Sequence, residues 1–176
     1  MDVLLATDAD WIIDDVTAAL GGPDVRFIVI RDGRSVSKQV KQHAPDLAIC
    51  DLQIGTMGGM AVTMDLRLDE SSGYLPHVPI LMLLDRVADV HLARRSGANG
   101  WMFKPVNPLK LKQAQRALLA GHDYHAGEIV APASAVTDVP APDDGPGADP
   151  DDADLDDAAD AAGDSGTPEE EPATAG

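Results

Sequence analysis

The sequence is poor in cysteine and has no long hydrophobic run. Its single cysteine, Cys50, excludes an internal disulfide and a cysteine-based zinc cluster. No apolar run approaches the ~20 residues that a membrane-spanning helix needs. The N-terminus starts in a strand-like pattern, without the basic region and apolar core of a signal peptide. We therefore expect a cytoplasmic protein without a membrane partner.

Basic residues are also missing from the C-terminal part of the chain. Residues 1–130 contain all 13 lysines and arginines together with 16 acidic residues, whereas residues 131–176 contain 14 acidic residues. The formal net charges of the two parts are −3 and −14. Because the first part carries so little net charge, it offers no electrostatic argument for a direct nucleic-acid partner.

The acidic part is also poor in residues that build a core. It is rich in proline, glycine, alanine and aspartate, and it has no aromatic side chain. Such a segment buries too little apolar surface to offset its ordering entropy. We therefore predict a folded domain over residues 1–122 and a disordered acidic tail over residues 123–176. The tail either solubilises the chain or attracts a basic partner.

Short apolar runs alternate with amphipathic segments along the predicted domain. The segments between and after the runs predict five helices. The runs predict five strands, which read DVLLA, VRFIVI, PDLAICD, VPILMLL and NGWMF. Strands that are apolar throughout are typical of sheets covered by helices on both faces, and regular alternation favours parallel strands. We therefore predict an α/β fold with a five-stranded parallel sheet and helices on both faces.

Polar residues follow several of the predicted strands at the point where each strand ends. Thr7 and Asp8 follow the first strand, Asp51 ends the third, and Lys104 follows the fifth. Ligands of parallel sheets bind beyond the carboxyl ends of the strands, at the switch point in strand order. In the order 2-1-3-4-5 the first and third strands are neighbours. We therefore expect Asp8 and Asp51 to lie side by side.

Two adjacent carboxylates repel each other, and a bound dication removes that repulsion. Mg²⁺ takes a few carboxylate or carbonyl oxygens and keeps several waters. Lys104, on the opposite side, would complete a pocket for a dianionic phosphoryl group. An aspartate carboxylate such as that of Asp51 can itself be the nucleophile that accepts this group. The pattern therefore indicates a magnesium-dependent phosphoryl site.

Four segments follow one another in an order and at a spacing that a known family shares. They read VLLATDAD, PDLAICDLQIGTMGG, VPILMLLD and GANGWMFKPVNPLKL. Together they resemble the receiver domain of the two-component response regulators, over residues 2 to about 120. The resemblance implies a flavodoxin-like (βα)5 fold in the order 2-1-3-4-5. It also implies a non-enzymatic signalling protein that acts through protein–protein contacts. We expect a stand-alone receiver, because the acidic tail has no room for a DNA-binding or catalytic output domain.

The resemblance assigns roles at the carboxyl ends of the first and third strands. Asp51 would be the phosphoacceptor. The Mg²⁺ ligands would be Asp8, Asp51 and the backbone carbonyl of Gln53. Thr7 stands where the family has another aspartate, and it would reach the metal through a bound water. We expect weaker Mg²⁺ binding than in a receiver with both acids, because one charge is missing.

Further roles fall on the fourth and fifth strands. Lys104 would bind the phosphoryl oxygens, and Pro105 would follow it through a cis peptide bond. Trp101 stands at the position of the family's aromatic switch residue. Leu84 replaces the serine or threonine whose hydroxyl grips the phosphoryl group, and Asp85 beside it adds negative charge. These departures favour a partly degenerate receiver.

The expected partners follow from the same resemblance. A sensor histidine kinase or a phosphotransfer protein would deliver the phosphoryl group. A downstream protein would bind the face formed by the fourth helix, fifth strand and fifth helix, and a second copy of the chain is a further candidate. No output domain is expected after residue 130.

Two alternative functions stay open. A degenerate pseudo-receiver would bind its partner independently of phosphorylation. A phosphatase of the haloacid-dehalogenase type would use Asp8 as nucleophile and Asp10 as acid, since TDAD matches its D-x-D pair. The folded part is short for that class and has no cap insertion.

Overall fold

All five predicted strands pair in parallel with their neighbours. The computed structural model of the protein describes residues 1–127. Its strands are β1 (Asp2–Ala6), β2 (Arg26–Ile30), β3 (Leu47–Asp51), β4 (Ile80–Leu84), β5 (Gly100–Phe103) and β6 (Tyr124–His125). They form one sheet with the order β2-β1-β3-β4-β5-β6. The predicted α/β class and the order 2-1-3-4-5 are confirmed.

Five helices connect these strands. They are α1 (Asp10–Leu20), α2 (Val36–Gln42), α3 (Gly59–Ser71), α4 (Val90–Ser96) and α5 (Pro108–Leu119). A short 3₁₀ turn precedes α2 and another precedes α4. Among residues 1–127, none of the helices is long and apolar enough to cross a membrane.

The central strands are buried from end to end because helices pack on both faces of the sheet. Every residue of β3 and β4 is buried. Along β1, Val3 and Leu5 belong to the cluster that contains α1 and α5, whereas Leu4 and Ala6 belong to the cluster that contains α2 and α3. This alternation of side chains explains why the strands read as continuous apolar runs.

The sixth strand was not predicted. Residues Tyr124–His125 pair in parallel with β5, and the Ala126 N–H donates to the Trp101 carbonyl at 3.0 Å. The chain reverses after α5 through Gly121, whose φ is +79°. The sheet therefore includes two residues beyond the predicted domain boundary at residue 122. From residue 128 onward, the predicted acidic tail lies outside the described residues.

Backbone hydrogen bonds continue past the strand ends. The Thr7 N–H donates to the Ile30 carbonyl at 3.0 Å, and the Lys104 N–H donates to the Leu84 carbonyl at 2.8 Å. These bonds hold the first residue after β1 and the first after β5 in line with the sheet. The polar residues at this edge therefore start from rigid backbone positions.

Candidate functional site

Asp51, the last residue of β3, is an almost completely buried carboxylate. The residue is 2 % exposed. Its Oδ1 accepts hydrogen bonds from Lys104 Nζ at 2.9 Å and from the Gln53 N–H at 3.0 Å. Its Oδ2 accepts the Thr7 hydroxyl at 3.0 Å. Three donors and one positive charge therefore compensate the burial of this carboxylate.

Lys104 lies between two carboxylates. Its Nζ is 2.9 Å from Asp51 Oδ1 and 2.9 Å from Asp85 Oδ2, and its side chain is 8 % exposed. Burial lowers the pKa of Lys104, but the hydrogen bonds and charges of Asp85 and Asp51 outweigh this effect and raise the pKa. The sequence placed Asp85 after the fourth strand, beside Leu84, but did not predict its contact with Lys104. Its position directly after β4, beside the residue that pairs with β5, is the signal that places it here.

Thr7, rather than Asp8, is the direct neighbour of Asp51. The β1–β3 register pairs Ala6 with Cys50, so the next residues on each strand are Thr7 and Asp51. Asp8 is exposed, and its Oδ2 accepts the Gly55 N–H at 3.2 Å. The expectation that Asp8 and Asp51 lie side by side is therefore modified. Asp8 faces the loop after β3, and Thr7 bonds to the buried carboxylate itself.

The oxygen donors at this edge suit a hard cation. Asp8, Asp51 and the carbonyl of Gln53 offer carboxylate and carbonyl oxygens, which Mg²⁺ accepts while keeping several waters. Residues 1–127 contain no group of three or more acidic, histidine or cysteine side chains that could hold a metal ion. The donor set therefore fits a site with few protein ligands, in which water supplies the remaining coordination.

The loop after β3 packs tightly on the backbone of Asp51. A Cβ atom at Gly59 would lie 2.4 Å from the Asp51 carbonyl oxygen, which is closer than atoms approach. Thr56 has a positive φ of 67°, and its hydroxyl donates to Asp32. This bond, together with the Arg34 N–H, lowers the pKa of Asp32. The loop that carries Gln53 is therefore held at both ends.

The two predicted switch positions belong to one apolar cluster. Leu84 is fully buried, and it shares this cluster with Met82, Leu52 and Trp101. The end of β4 therefore presents packed hydrocarbon where the family resemblance expects a hydroxyl.

Trp101 is buried and in contact with the C-terminal strand. Its indole stacks on the His125 ring, with centroids 3.8 Å apart and an interplanar angle of 13°. The Arg94 guanidinium carbon lies 5.4 Å from the indole centroid. Near this cluster, the Lys104–Pro105 peptide bond is cis. The aromatic residue is thus enclosed by α4 and β6.

Asp10 is poorly placed for the phosphatase alternative. It is the first residue of α1, its side chain is 81 % exposed, and it forms an ion pair with Arg31. A general acid is expected to face the same pocket as its nucleophile. The geometry therefore favours the site around Asp51 and Lys104 over a pair formed by Asp8 and Asp10.

Curated relatives of this chain are response regulators. It is 33 % identical over 141 residues to the DNA-binding response regulator MtrA of Mycobacterium tuberculosis, covering 79 % of this chain and 59 % of MtrA. It is 30 % identical over 145 residues to the transcriptional regulatory protein CseB of Streptomyces avermitilis, covering 81 % of this chain and 58 % of CseB. The chain thus spans about three fifths of the length of these relatives. Their names give no support to the expectation that nucleic acid is excluded as a partner.

Solved structures with this fold include receiver domains from several bacteria. A putative response regulator from Chloroflexus aurantiacus superposes with a TM-score of 0.61 at 24 % identity, covering 68 % of this chain and 97 % of that chain. The receiver domain of a Pseudomonas aeruginosa sensor histidine kinase, with magnesium coordinated in its active-site cleft, gives 0.60 at 20 % identity, with coverages of 68 % and 97 %. These likenesses establish the fold.

A family model also describes most of the folded part. The model of the response regulator receiver domain matches residues 3–116. This range includes β1 apart from Asp2, β2 to β5, and every predicted site residue. The chain therefore belongs to the response regulator receiver domain family of two-component signalling, as its strand-end residues predicted.

Proposed function

We propose that the chain accepts a phosphoryl group on Asp51 within a two-component phosphorelay. The observation that carries this proposal is the buried Asp51–Lys104 ion pair, with 2.9 Å between Oδ1 and Nζ, at the carboxyl edge of the sheet. A carboxylate in this position can accept a phosphoryl group as a nucleophile. The neighbouring ammonium group can then bind the phosphoryl oxygens in place of the carboxylate. The donor is a sensor histidine kinase or a phosphotransfer protein that carries a phosphohistidine.

The transfer exchanges one bond to phosphorus for another. A carboxylate oxygen of Asp51 forms a bond to phosphorus as the bond from phosphorus to the histidine nitrogen breaks. The electron pair of the broken bond stays on that nitrogen. Lys104 remains within reach of the new phosphoryl oxygens because its backbone N–H is fixed to the Leu84 carbonyl at 2.8 Å. The ammonium group then neutralises charge that the transfer brings into the pocket.

Asp8, Asp51 and the Gln53 carbonyl are the residues that would hold Mg²⁺. When bound, the ion supplies positive charge that offsets the phosphoryl oxygens. Thr7 adds no charge, and its hydroxyl is bonded to Asp51 Oδ2 at 3.0 Å. We expect the native chain to bind Mg²⁺ weakly, with amide shifts confined to the ends of β1, β3 and β5. Identical Mg²⁺ titrations of the native chain and of Asp8→Ala would remove Asp8 from the site.

The proposal is tested by the mass of the protein after incubation with a small phosphodonor and Mg²⁺. The native chain is expected to gain the mass of one phosphoryl group, and Asp51→Asn is expected to gain none. Asp24→Asn is a matched control, because it removes the same charge from the loop before β2, at the opposite end of the sheet. An equal gain in Asp51→Asn would move the acceptor to another residue. The absence of any gain in the native chain would refute phosphorylation.

A second candidate function is supported by the environment of Leu84. This side chain is fully buried in the apolar cluster that contains Trp101, so no hydroxyl is available at the end of β4 to bond a phosphoryl oxygen. A degenerate receiver of this kind would bind its partner independently of phosphorylation, through the face formed by α4, β5 and α5. A beryllofluoride phosphoryl mimic should then shift only the loops around Asp51. A rearrangement at Trp101 in the native chain would contradict this second candidate.

A further inference from the structure

Lys104 has more anionic partners than a simple ion pair requires. Its ammonium group donates at 2.9 Å to Asp51, and the Asp85 carboxylate lies at the same distance. The two carboxylates differ in exposure, because the Asp51 side chain is 3 % exposed and that of Asp85 is 41 % exposed. One partner is therefore fixed in the interior, and the other approaches from the solvent side.

Asp85 is not needed to orient Lys104. The Lys104 backbone is fixed by its hydrogen bond to the Leu84 carbonyl, and the ammonium group is bonded to the buried Asp51. The side chain is also 8 % exposed, so its path is confined by packing. The additional carboxylate therefore adds charge to a lysine that other contacts already position.

We propose that Asp85 is a built-in anionic competitor for Lys104, which weakens the hold of this site on a phosphoryl group. This inference rests on the proposed phosphorylation of Asp51. A phosphoryl group adds up to about two negative charges and three acceptor oxygens. The single ammonium group of Lys104 must then serve both the phosphoryl oxygens and Asp85, and the two anions repel each other across it. In the resting site, the Asp85 carboxylate already lies 2.9 Å from the ammonium group that would receive the phosphoryl oxygens.

The size of the effect follows from the partial exposure of Asp85. Removal of one screened like charge is worth about a threefold to tenfold change in affinity for an anion at this distance range. Asp85→Asn keeps the shape of the side chain and removes its charge. We therefore expect Asp85→Asn to bind beryllofluoride, in the presence of Mg²⁺, about threefold to tenfold more tightly than the native chain.

The experiment measures the apparent dissociation constant for beryllofluoride in three full-length proteins. These are the native chain, Asp85→Asn and the control Asp24→Asn, which carries the same change in net charge at the opposite end of the sheet. Amide shifts of the loop around Gln53 report binding, and urea unfolding of each protein reports stability. The dissociation constant of the native chain divided by that of Asp85→Asn should fall towards one as sodium chloride is raised, because salt screens a partly exposed charge. A purely structural role for Asp85 would not produce this salt dependence.

The outcomes separate this inference from the proposed function. Tighter binding of beryllofluoride by Asp85→Asn but not by Asp24→Asn supports the proposed competition of Asp85 for Lys104. Equal binding of beryllofluoride by all three proteins refutes this competition but remains compatible with phosphorylation of Asp51. Weaker binding in Asp85→Asn overturns it in favour of a positioning role. If none of the three proteins binds the mimic and none gains a phosphoryl mass, the proposed function fails together with the inference.

Discussion

The buried end of β4 allows a sharp test of the missing hydroxyl. Leu84 is 0 % exposed and belongs to the apolar cluster that contains Met82 and Trp101. Leu84→Val removes about one methylene from this cluster and should lower the free energy of unfolding by about 1–1.5 kcal/mol. Leu84→Thr has the same shape as Leu84→Val but buries a hydroxyl, which should cost about 1–3 kcal/mol more. The difference in the free energy of unfolding between the two variants therefore measures the cost of burying the hydroxyl.

A phosphoryl mimic should change that difference. If the hydroxyl of Leu84→Thr meets an oxygen or fluorine of the bound mimic, its burial is compensated and the gap to Leu84→Val should shrink by about 1 kcal/mol or more. The assay is urea unfolding of both variants, with and without beryllofluoride and Mg²⁺ at fixed concentrations, because a ligand stabilises the folded state according to its affinity. Amide shifts at Trp101 should grow in Leu84→Thr alone.

Two results would refute this reasoning. Equal stabilities of the two variants without the mimic would show that the hydroxyl finds a partner in the resting cluster. An unchanged gap with the mimic bound would show that the end of β4 does not face the phosphoryl site, and Leu84 could then not be the position of the missing switch hydroxyl.

Three further predictions concern stability and reactivity. Gly59→Ala should lower the free energy of unfolding by about 2 kcal/mol or more in urea unfolding, because its Cβ would lie 2.4 Å from a backbone oxygen. Gly58→Ala, with a nearest contact of 3.4 Å, should cost no more than about 0.5 kcal/mol. Burial raises the pKa of Cys50 to about 12, so a thiol reagent at pH 8 should label it only as fast as the protein unfolds, and rapid labelling would contradict this. Burial also lowers the pKa of His125 from 6.5, so Trp101 fluorescence, in a Trp11→Phe background, should titrate with a midpoint below 6.5. The free energy of unfolding should fall as the pH drops from 6.5 through the lowered pKa of His125, because the unfolded state binds the proton more readily. His125→Phe should abolish both the fluorescence titration and this loss of stability.

The sequence was sufficient to predict β1 to β5 but not β6. The apolar runs at residues 47–51 and 80–84 are short, uninterrupted and separated by helical segments, and these features define buried parallel strands. The sequence also placed Asp51 and Lys104 at the same carboxyl edge of the sheet, because each lies at the end of a parallel strand. The strands follow from the local apolar pattern, whereas the strand order came from the resemblance to the receiver family.

Other features depend on tertiary detail that a pattern does not contain. The strand formed by Tyr124–His125 is two residues long, has no periodicity, and exists because the chain turns back along β5. The contact of Thr7 with Asp51 depends on register, and a shift of one residue would have brought Asp8 there instead. The contact of Asp85 with Lys104 depends on how a long side chain crosses between strands, which spacing along the chain does not define.

The short strand β6 connects the edge of the sheet to Trp101, the predicted switch residue. Because the Ala126 N–H donates to the carbonyl of Trp101 and the His125 ring stacks on its indole, residues 125 and 126 are anchored directly on that tryptophan. A rotation of the indole would remove the surface on which His125 is seated. β6 would then lose one of the contacts that hold it at the edge of the sheet. The side chain at the predicted switch position therefore also supports the last strand of the described residues.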